Sequence, residues 1–142
     1  KDPATRGPKV NEYLETSIQG IFAAGNVLAI NDYVDFAAYQ GEKAAESADK
    51  YIENKGLAKE NWIEIKKGRN IRLIVPQLLS GDNGVILYGR VKEPEPNVDI
   101  MVSEIDEKIK STSVNPGEMI RLKISKEMLS DLDDELTLEV KP

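Results

Sequence analysis

Residues 63–91, IEIKKGRNIRLIVPQLLSGDNGVILYGRV, place apolar side chains at every second position and break at two clusters of turn residues. Ile63 and Ile65 flank Glu64; Ile71, Leu73 and Val75 interleave with Arg72 and Ile74; Val85 and Leu87 interleave with Ile86 and Tyr88. Successive side chains of a strand point to opposite faces, so this period of two predicts strands rather than helices. Lys67-Gly68 and Ser80-Gly81-Asp82-Asn83-Gly84 supply the residues that tolerate reversals between them.

The same spacing continues downstream through Val98, Ile100 and Val102, then Ile105 to Lys110, then Ile120, Leu122 and Ile124, and finally Leu136, Leu138 and Val140. Further turns fall at Pro94-Glu95-Pro96-Asn97 and Asn115-Pro116-Gly117, and Ser125 to Leu132 reads as one or two turns of helix. About seven short strands with no crossover helices between them predict an Ig-like antiparallel β-sandwich for residues 57–142.

Upstream the composition changes. Val10 to Tyr13 is a short strand-like run, and Ile18 to Ala24 is an apolar stretch of strand length ending at Gly25, the pattern of a strand buried on both faces. Val34, Ala37, Ala38, Gly41, Ala44, Ala45, Ala48 and Ile52 then recur at three- and four-residue steps, which predicts a helix over 33–54 with Asp32 as N-cap and Gly56 as terminator. Small residues along its stripe let another backbone come close, and Gly41 disfavours the helix by about 1 kcal/mol relative to Ala, so a packing or ligand contact is expected there. Together these make an α+β chain of two parts, 1–56 and 57–142.

Composition narrows the chemistry. The chain of 142 residues has net charge -6 and no cysteine or histidine. Residues 1–56 carry 6 basic and 9 acidic side chains and the remainder 13 and 16, so neither part has the basic face that nucleic acid or an anionic membrane rewards. Thiolate metal sites, redox dithiols and histidine general bases are excluded, and with them a Ser-His-Asp triad. No apolar run approaches the length of a membrane span and no signal sequence is evident, so a cytoplasmic setting is expected. The chain opens on the polar stretch KDPATRGPK without an initiating Met, which is expected of a piece of a longer protein.

A strand, a glycine, a short polar residue, a loop and a helix can bring backbone N–H groups and a positive helix end to a ligand. YLETSIQGIFAAGNV followed by DYVDFAAYQGEKAAESADKYI resembles the C-terminal FAD motif of the pyridine nucleotide-disulfide oxidoreductase superfamily, T-x-x-x-G-I-F-A-A-G-D before a helix reading A-x-x-x-G-x-x-A-A. The matching residues are Thr16, Gly20, Ile21, Phe22, Ala23, Ala24 and Gly25, then Ala37, Gly41, Ala44 and Ala45, within residues 9–54.

The resemblance implies that residues 1–56 are the C-terminal segment of an FAD/NAD(P)-binding α/β domain. It implies FAD as cofactor of a full-length parent, with Gly25, Asn26 and Val27 at the ribityl chain and Tyr33 and Val34 near the pyrimidine edge. It further implies, as partners, the remainder of that flavoprotein and either a second copy or a partner oxidoreductase subunit. Asn26 stands where the family has Asp; it can accept and donate a hydrogen bond but carries no charge. No G-x-G-x-x-G loop, second dinucleotide loop or cysteine pair is present, so the segment alone is expected to be inert and to bind no FAD by itself.

The sandwich offers weaker signals. Asp131, Asp133, Asp134 and Glu135 lack the spacing and glycine of a calcium loop and read as a solvated helix end. Residues 80–84 present backbone N–H groups to an anion or simply close a hairpin. Trp62 and Tyr88 read as core or inter-domain contacts. Two functional readings therefore stand: the C-terminal part of an FAD-dependent NAD(P)H oxidoreductase, or a non-catalytic sandwich module that docks a partner subunit. In either, the Ala-rich helix face is expected to pack on the sandwich or on a second copy.

Overall fold

The computed structural model describes residues 1–57, 61–105, 107–130 and 135–142. It is a mixed α/β chain, mostly strands in two sheets, with one long helix. The strands are β1 (Ile63–Lys67), β2 (Ile71–Val75), β3 (Leu78–Leu79), β4 (Val85–Val91), β5 (Glu95–Val102), β6 (Glu107–Val114), β7 (Ile120–Ile124) and β8 (Glu135–Lys141). One sheet runs β3-β1-β8-β5-β6 and the other β2-β4-β7.

Period-two patterning puts one row from each sheet into a shared core. Ile65, Val98, Ile100, Val102, Leu136, Leu138 and Val140 come from the larger sheet, and Ile71, Ile74, Val85, Leu87, Val91, Ile120, Leu122 and Ile124 from the smaller. The pattern slips once, because the register of β2 on β4 shifts between Ile71 and Leu73. That extra residue turns both Ile71 and Ile74 inward and sends Leu73 and Val75 to the opposite face.

The expectation of a wholly antiparallel sandwich is corrected at one ladder: β1 pairs with β8 in parallel, Ile65 opposite Leu136. These strands lie at opposite ends of the second part of the chain, so no tight turn fixes their relative direction. Glu95-Pro96-Asn97, expected as a turn, belongs to β5. Pro96 faces Ser113 of β6, while β8 pairs only with Asp99 to Val102, so the missing N–H sits where just one partner strand is present.

The helix α1 (Val34–Asn54) is close to its expected bounds, and α2 (Lys126–Leu129) is a single turn capped by Ser125. Asp32 is not the N-cap of α1; Tyr33 takes that place without a side-chain hydrogen bond. Lys55 in the left-handed region ends the helix, and the Gly56 N–H donates to the Tyr51 carbonyl. The strand expected over Ile18 to Ala24 is also corrected: apart from an isolated bridge between Glu15 and Phe22 the segment is irregular, with Ile18 62% and Ile21 51% exposed. A doubly buried strand needs ladders on both edges, and among the described residues no strand lies beside it.

Residues 1–57 cover the outer face of the β2-β4-β7 sheet. Val10, Leu14, Leu28 and Ala29 form a second core with Leu73, Val75 and Tyr88, and Phe36, Ala44 and Ile86 pack against it. Along β2 and β4 the smaller sheet is thus largely apolar on both faces, while β7 keeps Arg121 and Lys123 exposed. No helix among the described residues is long and apolar enough to cross a membrane.

Candidate functional site

Gly25, Asn26 and Val27 form one 3-10 turn between the extended Ala24 and Leu28, whose N–H donates to the Gly25 carbonyl at 3.0 Å. Gly25 has φ +74, a conformation open to glycine at little cost, and a Cβ there would lie 3.9 Å from the Ala37 Cβ. The turn therefore sits over the first turns of α1.

A chain of amides fixes that placement. The Gly25 N–H donates to Gln40 Oε1 at 2.8 Å, and Gln40 Nε2 donates to Asn31 Oδ1 at 3.3 Å. The Asn31 backbone N–H donates to Asn26 Oδ1 at 3.0 Å, and Asn31 Nδ2 reaches the Ala29 carbonyl at 3.1 Å. Asn26 is thereby linked to a residue two before Tyr33, so all five expected site residues lie around one loop and one helix end. Their side chains face solvent: Val27 is 57%, Tyr33 64% and Val34 81% exposed, and Ile30 beside them 73%.

The loop is anchored from below by charge. Arg90 of β4 forms an ion pair with Asp32, donates to the Ile30 carbonyl at 2.8 Å and to the Pro116 carbonyl at 3.3 Å. The other Asp32 oxygen accepts the Met119 N–H. This is why Asp32 does not cap α1: a largely buried guanidinium and an amide at the sheet edge hold its carboxylate instead. Among the described residues no side chain caps α1, and Asp35 is the acid of its first turn.

The helix presents two faces. Gln40 and Ser47 are buried, with Phe36, Ala44 and Tyr51 half-buried beside them, against the rest of the chain. Val34, Ala38, Gly41, Ala45 and Ile52, at helical spacing, are exposed. The Ala-rich stripe expected to pack on the sandwich or on a second copy is therefore split, and part of it looks outward. A Cβ on Gly41 would meet nothing within 4 Å, so the described residues supply no packing reason for that glycine.

Three further features were weak or silent in the sequence. Glu12, buried, accepts from the Ser80 N–H at 2.7 Å, from the Ser80 hydroxyl, and from Asn83 Nδ2 at 2.9 Å. The loop 80–84 does hold an anion, and that anion is the chain's own carboxylate. Gln40 and Asn31 were missed as supports of Gly25 and Asn26, although a glutamine inside a stripe of small residues is the signal that marks such a support. Trp62 meets Tyr13 edge-on at 6.2 Å and Tyr88 lies 5.6 Å from Phe36, so both are contacts between the two parts of the chain. Asp131, Asp133 and Asp134 lie outside the described residues, Glu135 pairs with Lys66, and no group of metal-ligating side chains occurs among the described residues.

No protein-family model matches the chain, and no similar curated protein or solved structure was found for it.

Proposed function

We propose that this chain is the C-terminal part of a cytoplasmic FAD-dependent NAD(P)H oxidoreductase, with residues 1–56 completing the FAD-binding domain and an Ig-like sandwich appended. One observation carries the reading: the Gly25–Val27 turn and the uncapped start of α1 are tied together by the Asn26–Asn31 hydrogen bond and stand exposed side by side. The uncapped helix start supplies unsatisfied N–H donors and a partial positive charge, suited to the electron-rich edge of a flavin.

The fit to FAD is good at some atoms and poor at one. Asn26 is exposed and has a side-chain amide able to donate to a ribityl hydroxyl, and the backbone of Tyr33 and Val34 is uncapped. The Gly25 N–H is already committed to Gln40, so at that residue the turn supplies shape rather than a donor. Bound flavin would supply hydride acceptance from a nicotinamide; the residues of this chain would orient it and keep water from its pyrimidine edge.

The exposed stripe of α1 favours a second reading, a docking module without flavin, because Val34, Ala38, Gly41, Ala45 and Ile52 would suit a partner subunit equally well. The absorption spectrum of protein purified from the whole reading frame decides between them. A flavin band bleached by NADH or NADPH supports the oxidoreductase. A colourless protein that takes up no added FAD and still captures a partner subunit supports the docking module.

A further inference from the structure

A cleft of about 400 Å³ lies where the smaller sheet meets the segments that cover it, with Thr5, Ile30, Arg72, Leu73, Arg90 and Gly117 among its lining. That volume falls in the range of small-molecule sites, roughly 300 to 1,000 Å³. The bulge in β2 shapes it. Ile71 lies opposite Val91 and Leu73 opposite Arg90, so Arg72 is the extra residue and has no cross-strand partner. Leu73 turns to the outer face beside it, and Arg72 comes to line the same cleft as Arg90. Bulges re-aim side chains in this way beside binding sites.

The polar groups of the cleft are donors left without acceptors. The Arg72 guanidinium has no carboxylate, carbonyl or ring partner among the described residues. The Thr5 hydroxyl accepts from the Gly7 N–H at 3.1 Å and donates to no described residue, and the Gly117 N–H is uncommitted as well. Arg90, 9% exposed, spends its terminal nitrogens on Ile30, Asp32 and Pro116. Asp32 is the acid in the lining, and both its oxygens are taken, one by Arg90 and the other by the Met119 N–H. Two guanidiniums against one occupied carboxylate leave a positive cleft in a chain of net charge -6. The free donors come from three separate segments, which suits the three oxygens of a phosphate better than the planar pair of a carboxylate, and a guanidinium fork matches phosphate. Ile30, 73% exposed, and Leu73 add an apolar wall for an organic body.

We propose that this cleft binds a small organic phosphate, its phosphate accepting from the Arg72 guanidinium and the Thr5 hydroxyl and its apolar body lying against Ile30 and Leu73. The inference does not rest on the flavin reading, since none of the five flavin-facing residues lines the cleft.

The test is titration of the 142-residue chain with phenyl phosphate, inorganic phosphate and benzoate at fixed ionic strength, followed by backbone amide shifts. Phenyl phosphate is expected to bind most tightly, with shifts centred on Thr5, Ile30, Leu73 and Gly117. Arg72→Gln is expected to weaken it about tenfold, the loss of a charge-assisted hydrogen bond, and Arg72→Lys to recover part of that loss by keeping the charge without the fork. Lys110→Gln, on β6 of the larger sheet, removes an equal charge and should leave binding unchanged. Arg72 is exposed and its side chain pairs with no described residue, so its variants should melt with the parent. The proposal is overturned if no probe binds at millimolar concentration, if inorganic phosphate or benzoate binds as tightly as phenyl phosphate, or if Arg72→Gln and Lys110→Gln act alike.

Discussion

Arg90 of β4 holds Asp32 of the loop before α1 across the boundary between the two parts of the chain, with side-chain exposures of only 10% and 20%. The pair fixes the loop that carries the expected flavin-facing residues to the smaller, β2-β4-β7 sheet. Replacing Arg90 with Leu leaves the Ile30 carbonyl without its donor and the Asp32 carboxylate with the Met119 N–H but no counter-charge. Asp32 is partly exposed, so the loss is smaller than for a fully buried pair, on the order of 1 to 3 kcal/mol for a hydrogen bond between charged groups. A fall of that size in urea-derived stability is expected, and a change near zero would show that the pair is solvated in solution.

Glu12 makes the second tie. Glu12→Gln keeps the shape but turns an amide NH2 toward donors that need an acceptor, in a site where Ser80 and Asn83 both donate. The expected loss is about 1 to 3 kcal/mol. A double-mutant cycle with Asn83→Ala checks it: the two losses should fall well short of adding, since both act on one network.

The amide chain under the candidate site predicts a more local effect. Gln40→Leu removes the acceptor of the Gly25 N–H and the donor to Asn31 together. Amide exchange at Gly25 is expected to speed up by an order of magnitude or more, for a hydrogen bond worth about 1 kcal/mol or somewhat more. Gln40→Glu keeps an acceptor and should restore protection at Gly25 but not the link to Asn31. Equal exchange rates in all three proteins would remove Gln40 as a support.

How far the sequence could be read follows from which forces act locally. Most sandwich strands between Ile63 and Val140 were legible because a period of two reports the face on which a side chain is buried; β3 was not expected, and β6 runs Glu107–Val114 rather than from Ile105 to Lys110. The parallel pairing of β1 with β8 was not, since direction between distant strands leaves no mark on either strand's own pattern. The limits of α1 were legible from Gly56 and the stripe of small residues, but Asp32 misled as a cap because its rival partner, Arg90, lies far along the chain. Residues 18–24 carry the pattern of a strand buried on both faces without the neighbours that would make it one. The candidate site was legible only through its resemblance to a flavin motif; Gln40 and Asn31, which hold it, contribute through side-chain geometry that spacing does not encode.

Acid should weaken the far end of the sandwich. Arg69 makes two hydrogen bonds to the Glu95 carboxylate, at 2.8 Å each, and holds its pKa below the ordinary glutamate value of 4.5. Lys141, with Ser103, does the same for Glu139. A carboxylate depressed in the folded state contributes stability that is whole above its unfolded pKa and is lost as pH falls through its folded one. Stability should therefore drop between about pH 5 and pH 3, and Glu95→Gln should flatten part of that drop while lowering stability at neutral pH. An unchanged slope in the variant would place the acid sensitivity elsewhere.

The exposed stripe of α1 is best tested by substitutions that separate folding from association. Gly41→Ala fills open space on a helix and is expected to stabilise the isolated chain by about 1 kcal/mol. Ile52→Glu, at a side chain 75% exposed, should change stability by no more than about 0.5 kcal/mol. If the stripe is a contact surface, both act differently on assembly: the added methyl holds an approaching backbone away, and the charge is desolvated. Self-association of the chain in sedimentation, and capture of the proposed flavoprotein remainder or a partner subunit, should then be weakened by Ile52→Glu and, less strongly, by Gly41→Ala. A chain whose Gly41→Ala variant gains stability while both variants associate as the parent does would show that the stripe meets only water.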